Sequence, residues 1–326
     1  MNEAPILEVR NLRKLFPAKA AGFWHTANKY VHAVDDVSFE LGRGEVLALV
    51  GESGCGKSTL ALTLMGLETP TQGAVLFDGQ DITRLKGPAM KEIRRHIQMV
   101  FQDPYESLNP LITVGELVAE PLVVHKLAPN RTERARQVRR ALQDAGLKPA
   151  ETFVNRFPHE LSGGQRQRAV IAGALVLEPT VLLADEPVSM LDVSIRAEIL
   201  SLLAELRARR GISILFITHD LATAAYFADR VAVMYLGRIV EIGPTREVLT
   251  NPAHPYARAL LSVIPVPNPR QRRERIILKG DPPNPIDLPP GCRFHPRCPL
   301  VQSICREQDP IIKEVGPGHR AACLLL

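Results

Sequence analysis

Residues Gly51-Glu52-Ser53-Gly54-Cys55-Gly56-Lys57-Ser58-Thr59 have the spacing G-x-x-x-x-G-K-[ST] of a phosphate-binding loop. The apolar run Val46-Leu47-Ala48-Leu49-Val50 before them predicts a buried strand, and Leu60 to Met65 after them predict a helix. Strand, glycine-rich loop and helix together are the setting the motif needs, and a chance glycine-rich turn would not carry both flanks. The glycines let backbone N–H groups converge into an anion nest at the helix N-terminus. Lys57 adds a point charge that reaches toward the β- and γ-phosphates of a nucleotide, and Ser58 places a hydroxyl where Mg²⁺ would sit.

The chain has 326 residues, long for one domain, so a core plus a further module is expected. Its hydrophobic content of 45% is ordinary for a globular protein. No apolar run approaches the roughly 18 residues that would cross a bilayer. The start, Met1 to Glu8, lacks the basic-then-apolar form of a signal peptide. A cytoplasmic location is therefore expected, with any membrane role exercised through a partner. The net charge of +5 suits a nucleotide binder or a membrane-proximal surface and does not single out nucleic acid.

Working outward from the loop, residues 6–16 and 31–41 read as strands, with a polar loop at 17–30 that contains Phe23, Trp24 and Tyr30. Residues 73–79 read as a strand and turn, and 98–104 as a strand ending in a polar loop at Gln102. From about 111 to 160 the pattern turns helical. Arg131 to Ala145, charged with apolar Val138 and Leu142, reads as an amphipathic helix inserted into an α/β core. Leu161-Ser162-Gly163-Gly164-Gln165 then precedes a helix from Arg166 to Leu177, and its glycines open that helix start to an anion. Thr180 to Pro187 is an apolar strand ending in Asp185 and Glu186. The first is suited to Mg²⁺, and the second to polarising an attacking water. A helix at 194–210 and a strand at 212–218 lead to His219, at the carboxyl edge of a parallel sheet where open α/β folds bind ligands. Helices at 221–229, 245–250 and 255–263 and strands at 230–235 and 238–243 complete the core. From Pro265 a proline-rich segment with a basic run at 270–275 reads as extended linker.

Five of these stretches, in this order, resemble an ABC-type ATPase: Gly51–Thr59, Gln102, Leu161–Gln165, Val181–Glu186 with Ser189-Met190-Leu191-Asp192, and His219. The details resemble the ATP-binding subunits of dipeptide/oligopeptide importers. They are carried by Val100 to Pro110, Asp185 to Ser194, Asn251-Pro252-Ala253-His254-Pro255-Tyr256 and Gly291-Cys292-Arg293-Phe294-His295-Pro296-Arg297-Cys298-Pro299. Met190 stands where the family usually has Ala, and Gly173 where it often has Arg; neither removes a nucleotide contact.

The resemblance implies an α/β phosphate-loop ATPase fold with an N-terminal β subdomain and an inserted helical subdomain at about 103–165. This core spans 1–264, followed by a linker and a cysteine-rich module at 265–326. It implies ATP and Mg²⁺ as ligands, with the loop of one subunit and Leu161–Gln165 of another enclosing each ATP. Lys57, Ser58 and the loop from Gly51 to Thr59 then hold phosphates. Ser58, Gln102 and Asp185 serve Mg²⁺, Glu186 is the general base, His219 steadies the γ-phosphate and Asp192 links the two sites. Adenine stacks on Tyr30 or Phe16, with Tyr30 preferred. The implied partners are two transmembrane permease subunits, a second ATP-binding subunit (a paralogue in this reading) and an extracytoplasmic peptide-binding protein, at the cytoplasmic face of the inner membrane and without nucleic acid. Import of nickel chelates or oligosaccharides by the same mechanism is the alternative within the family, and a soluble non-transport ATPase the alternative outside it.

Four of the five cysteines, Cys292, Cys298, Cys305 and Cys323, fall in one 32-residue span. Structural disulfides are not expected in a cytosolic protein. The spacing lacks the close pairs of a zinc site, which His295 or His319 would have to complete, and is compatible with a [4Fe–4S] cluster. The resembled subunits carry such a cluster. Zn²⁺ or free thiols are the other readings.

Overall fold

A computed structural model of the chain describes residues 4–18, 29–264 and 275–326. Phe23 and Trp24, and residues 265–274 of the proline-rich and basic segment, lie outside the described residues. The first half of the chain runs β1 (Leu7–Pro17), β2 (Tyr30–Leu41), β3 (Val46–Val50), α1 (Lys57–Leu64), β4 (Gln72–Phe77), β5 (Gln80–Asp81), α2 (Gly87–His96), β6 (Ile97–Val100), α3 (Pro104–Ser107), α4 (Val114–Val124), α5 (Arg131–Asp144) and α6 (Ala150–Val154). The second half continues with α7 (Gly163–Leu175), β7 (Val181–Asp185), α8 (Val193–Arg210), β8 (Ser213–Thr218), α9 (Leu221–Phe227), β9 (Arg230–Tyr235), β10 (Arg238–Pro244), α10 (Thr245–Thr250), α11 (Pro255–Ser262), α12 (Ile304–Glu307), β11 (Lys313–Gly316) and β12 (His319–Ala321). Among the described residues no helix is long and apolar enough to cross a membrane. The chain divides into two compact units, one made of residues 1–6, 41–45 and 84–217, the other of residues 7–40, 46–83 and 218–326.

The first unit contains three parallel strands in the order β6-β7-β8, with Ile97 opposite Val181 and Asp185 opposite Ile217. β7 and β8 are buried throughout, as continuous apolar runs in a parallel sheet should be. The helices have defined starts. Thr113 and Glu116 form a reciprocal capping box on α4, and the Asn130 side chain accepts from the Glu133 N–H at the head of α5. The buried stripe of α5 is Val138, Ala141 and Leu142, which agrees with its amphipathic pattern. α8 ends at Gly211, whose φ of 67° is left-handed, and its last turn carries Arg207, Arg209 and Arg210 at the negative end of the helix dipole. Helix α2 is absent from the sequence reading. Its only buried apolar side chains are Met90 and Ile93, too few to raise a periodic signal.

The second unit holds a four-stranded sheet in the order β2-β1-β4-β5. β1 and β4 run antiparallel, with Leu7 opposite Phe77 and Val9 opposite Val75. This unit also contains the strand order β11-β12-β10-β9-β3. β3 and β9 are parallel, and β9 turns into β10 through Leu236 and Gly237, both at positive φ (41° and 79°). Two such residues match the twist of a tight hairpin. β12 then adds antiparallel to β10, with Glu241 opposite Ala321, and β11 pairs β12. These two tail strands lie where the sequence reading has no secondary structure.

Two features bind the tail to the strands beside it. Phe294, 1% exposed, packs against the rings of Tyr235, Tyr256 and His254 at centroid distances of 5.2, 5.4 and 5.5 Å. Such burial contributes about 2–3 kcal/mol. Glu241 is fully buried; its carboxylate accepts from the Ala253 N–H (2.9 Å), the His254 N–H (2.7 Å) and His319 Nε2 (2.7 Å). His254 itself is buried, and its Nδ1 accepts from the Tyr256 N–H at 3.1 Å, capping α11.

Burial, with the nearby positive charge of Arg258, pushes the His254 pKa from 6.5 down to about 3. Between those values the unfolded chain binds a proton that the folded chain does not, so stability falls as pH falls through that window. The expected slope from this residue is about 1.4 kcal/mol per pH unit. Urea unfolding at pH 7.5 and 5.5 checks it: His254→Asn, which keeps a capping acceptor that does not titrate, should lose less stability on acidification than the native chain.

Candidate functional site

Residues 51–56 form a loop between β3 and α1, backed by the second unit's own carbonyls. A Cβ on Gly51 would lie 2.2 Å from the Met234 oxygen. Gly56, the residue before α1, has a φ of 108°, and a Cβ there would lie 1.9 Å from the Ala33 oxygen. Only glycine meets both conditions. The Gly237 N–H donates to the Cys55 carbonyl at 2.9 Å, tying the loop to the β9–β10 turn. Lys57 is 5% exposed, and its ammonium donates to the carbonyls of Gly51 (2.8 Å) and Glu52 (3.0 Å). The ammonium is thus curled under the loop, on the face the backbone encloses. Cys55 is buried, which raises its thiol pKa, and Ser53, Gly54 and Ser58 are exposed. Thr59 is half-buried in the first turn of α1. Tyr30 opens β2 at 40% exposure, and Phe16 lies on β1 under the ammonium of Lys14, 4.5 Å from the ring centroid. His219 is exposed immediately after β8.

In the first unit, Asp185 ends β7 and is 5% exposed. Glu186 follows with a φ of 46°, uncommon for a residue with a side chain, and its N–H donates to the Ile217 carbonyl at 2.9 Å. The Gln102 side-chain amide donates to the Glu186 carboxylate at 3.2 Å, so these two predicted residues meet directly. Ser162 caps α7 in a reciprocal box with Gln165, leaving Gly163 and Gly164 at the helix N-terminus. A Cβ on Gly164 would lie 2.7 Å from Cγ2 of Ile195. Leu161 is buried, and Asp192 is exposed at the start of α8.

Two residues in contact with the loop, Tyr256 and Arg297, and a third that holds the β9–β10 turn beside it, Arg293, escaped the sequence reading as site residues. The Tyr256 hydroxyl accepts from the Glu52 N–H at 3.0 Å. Arg297 grips the Glu52 carboxylate with both terminal nitrogens, at 2.7 and 3.1 Å. Arg293 donates to the Leu236 carbonyl at 2.6 Å and pairs with the buried Asp35. The signal available for them was the pair of short motifs around Tyr256 and around Cys292–Cys298, which carried the resemblance without a role.

The tail thiols do not bear out the cluster expectation. Among the described residues no group of three or more His, Cys, Asp or Glu side chains is placed to hold a metal ion. Cys292, Cys298, Cys305 and Cys323 are all free thiols. Burial, reinforced by the other three thiols, pushes the Cys292 pKa up to about 11. Nor does His319 stand ready as a ligand, because its ring is committed to Glu241. His295 Nδ1 lies 3.0 Å from the Cys292 carbonyl.

Residues 34–189 match the family described as ABC transporter, and residues 240–305 match the oligopeptide/dipeptide transporter C-terminal region. Over 327 aligned residues the chain is 48% identical to the oligopeptide transport ATP-binding protein AppF of Bacillus subtilis (strain 168), covering 99% of this chain and 98% of that one. The chain belongs to the ATP-binding subunits of the oligopeptide/dipeptide ABC transporter family. This ABC ATPase is also 46% identical over 324 residues to a putative peptide import ATP-binding protein of Brucella ovis, with 99% of each chain covered. Its α/β fold is that of solved cassettes. The ATP-binding cassette MJ0796, a dimer in a post-hydrolysis state with ADP and Pi, matches at a TM-score of 0.64 and 31% identity, over 74% of this chain and 99% of that one. The structure of cbiO1 from Clostridium perfringens, part of the ABC transporter complex cbiONQ, matches at a TM-score of 0.65 and 34% identity, over 76% of this chain and 92% of that one.

The arrangement of the tail thiols carries an expectation for metal content. Elemental analysis of chain purified without oxygen tests the cluster expectation directly, and a colourless protein without iron would remove it. A brown protein with about four irons per chain would establish it.

Proposed function

We propose that this ABC ATPase powers the uptake of peptides through partner membrane subunits by hydrolysing ATP. The observation that carries the reading is the bond from Gln102 to Glu186, in a chain that aligns along nearly its whole length with relatives named for oligopeptide transport and peptide import. Lys57 and the N–H groups of Gly51 to Thr59 bind the phosphates of ATP. The oxygen donors of Ser58, Gln102 and Asp185 suit Mg²⁺, a hard cation that would neutralise phosphate charge when bound. Glu186 accepts the proton of the attacking water, and the Gln102 amide orients its carboxylate. His219 steadies the γ-phosphate, and Tyr30 stacks on adenine. The loop Leu161–Gln165, capped and open at its glycines, serves the ATP of a second cassette, and Asp192 couples the two sites. Most of the rate enhancement then comes from positioning and charge stabilisation.

The partners of this reading are two permease subunits, a second cassette and an extracytoplasmic peptide-binding protein, with the chain on the cytoplasmic face of the membrane. No metal chemistry is assigned to the tail thiols. Co-purification with membrane subunits supports the transport reading, and co-purification with nucleic acid instead would displace it.

The chemical core of the proposal rests on Glu186. Glu186→Gln should lower ATP hydrolysis in the assembled transporter by about 10²–10⁴-fold. ATP binding should persist, because the loop around Lys57 is untouched. Phosphate release and ATP titration on the same sample separate the two, and undiminished hydrolysis would remove Glu186 from the role of base.

A further inference from the structure

The motif Cys292 to Cys298 is the part of the chain whose sequence stood out without acquiring a task. Its arginines, four residues apart, reach two different carboxylates of the same unit. Arg293 is buried against Asp35 of β2 and the Leu236 carbonyl. Arg297, with its side chain 8% exposed, holds Glu52 of the phosphate loop by both nitrogens. Between them Phe294 is locked among Tyr235, Tyr256 and His254. Tyr256 in turn accepts from the N–H of Glu52. The tail therefore touches Glu52 directly at its carboxylate, and at its backbone through one intervening ring.

Glu52 is an awkward residue for an anion site. Its carboxylate is carried by a loop whose N–H groups favour negative charge, and its own carbonyl lies 3.0 Å from the Lys57 ammonium. Lys57 is the one cation within residues 51–59, so it is the partner the loop itself offers to a Glu52 carboxylate released from Arg297. An internal Glu52–Lys57 pair would then compete with phosphate for the one buried cation of the loop.

We propose that Arg297 is a positioning residue for ATP: it holds the Glu52 carboxylate away from Lys57 and so keeps the phosphate loop receptive to nucleotide. This rests on the reading of residues 51–59 as the ATP site and extends it to the C-terminal tail, which becomes part of the nucleotide-binding apparatus. The bidentate geometry suits the task, because a planar guanidinium fixes both carboxylate oxygens at once.

The test is ATP titration and steady-state hydrolysis with the full chain in its assembled transporter. Arg297→Ala should raise the KM and the Kd for ATP by about tenfold or more, while kcat at saturating ATP stays within about twofold. Removing the offending charge as well, in the double variant Glu52→Gln/Arg297→Ala, should bring affinity most of the way back. A merely structural role for Arg297 would leave the double variant as impaired as the single one. Raised salt should also narrow the gap between Arg297→Ala and the native chain. Native affinity in Arg297→Ala, or a double variant no better than the single, would overturn the proposal. A native chain that fails to bind ATP would instead overturn the reading of the loop itself. If Arg297→Ala does not fold, Arg297→Lys decides: it keeps the charge but loses the fork, and an intermediate rise in KM supports the proposal while an unchanged KM counts against it.

Discussion

The second unit depends on two places where a backbone carbonyl occupies the space of a side chain. The Ala33 oxygen stands where a Cβ of Gly56 would be, and the Met234 oxygen where a Cβ of Gly51 would be. Strand β2 supplies the first and β9 the second, so a side chain at either glycine would collide with the backbone of a neighbouring strand. With its back filled in this way, the loop has nowhere to collapse. The Lys57 ammonium braces it from within, through the carbonyls of Gly51 and Glu52. The β9–β10 turn contributes a further restraint through Gly237, and α11 another through Tyr256.

The first unit achieves a similar fixity by different means. Its acids sit at the end of β7, a strand with no exposed residue, so Asp185 and Glu186 inherit their position from the parallel sheet. Glu186 adopts a left-handed φ of 46° and is held there by a backbone bond to Ile217. That conformation turns its carboxylate to meet Gln102, which lies just beyond β6. Backbone geometry of this kind, costly for a residue with a side chain, clusters at functional sites.

What was legible from the sequence was local. Val46–Val50, the loop and α1 are contiguous, and β7 with its terminal acids is a single apolar run, so their patterns survive without tertiary knowledge. What was not legible is long-range or sparse. Arg297 and Glu52 are 245 positions apart, and Arg293 and Asp35 are 258 apart. No spacing rule joins them. The tail strands β11 and β12 are only four and three residues long, and the buried partner of His319 on β10 lies 78 residues upstream. For the cysteines the count is conspicuous, whereas the placement of the thiols is set by a fold that the spacing does not reveal.

The tail contacts have a thermodynamic consequence. Buried pairs such as Arg293–Asp35 and His319–Glu241 add little net stability, since desolvation offsets their attraction, but they tolerate few alternative geometries. They therefore specify where the tail docks more than how tightly. Arg297 spans from that docked position to Glu52, so the loop's receptive form and the tail's docked form share one ion pair. Linkage makes the relation reciprocal: by whatever factor docking of the tail strengthens ATP binding, bound ATP strengthens docking of the tail. The nucleotide site and the C-terminal segment, read from sequence as separate modules, thus form one cooperative element within the second unit.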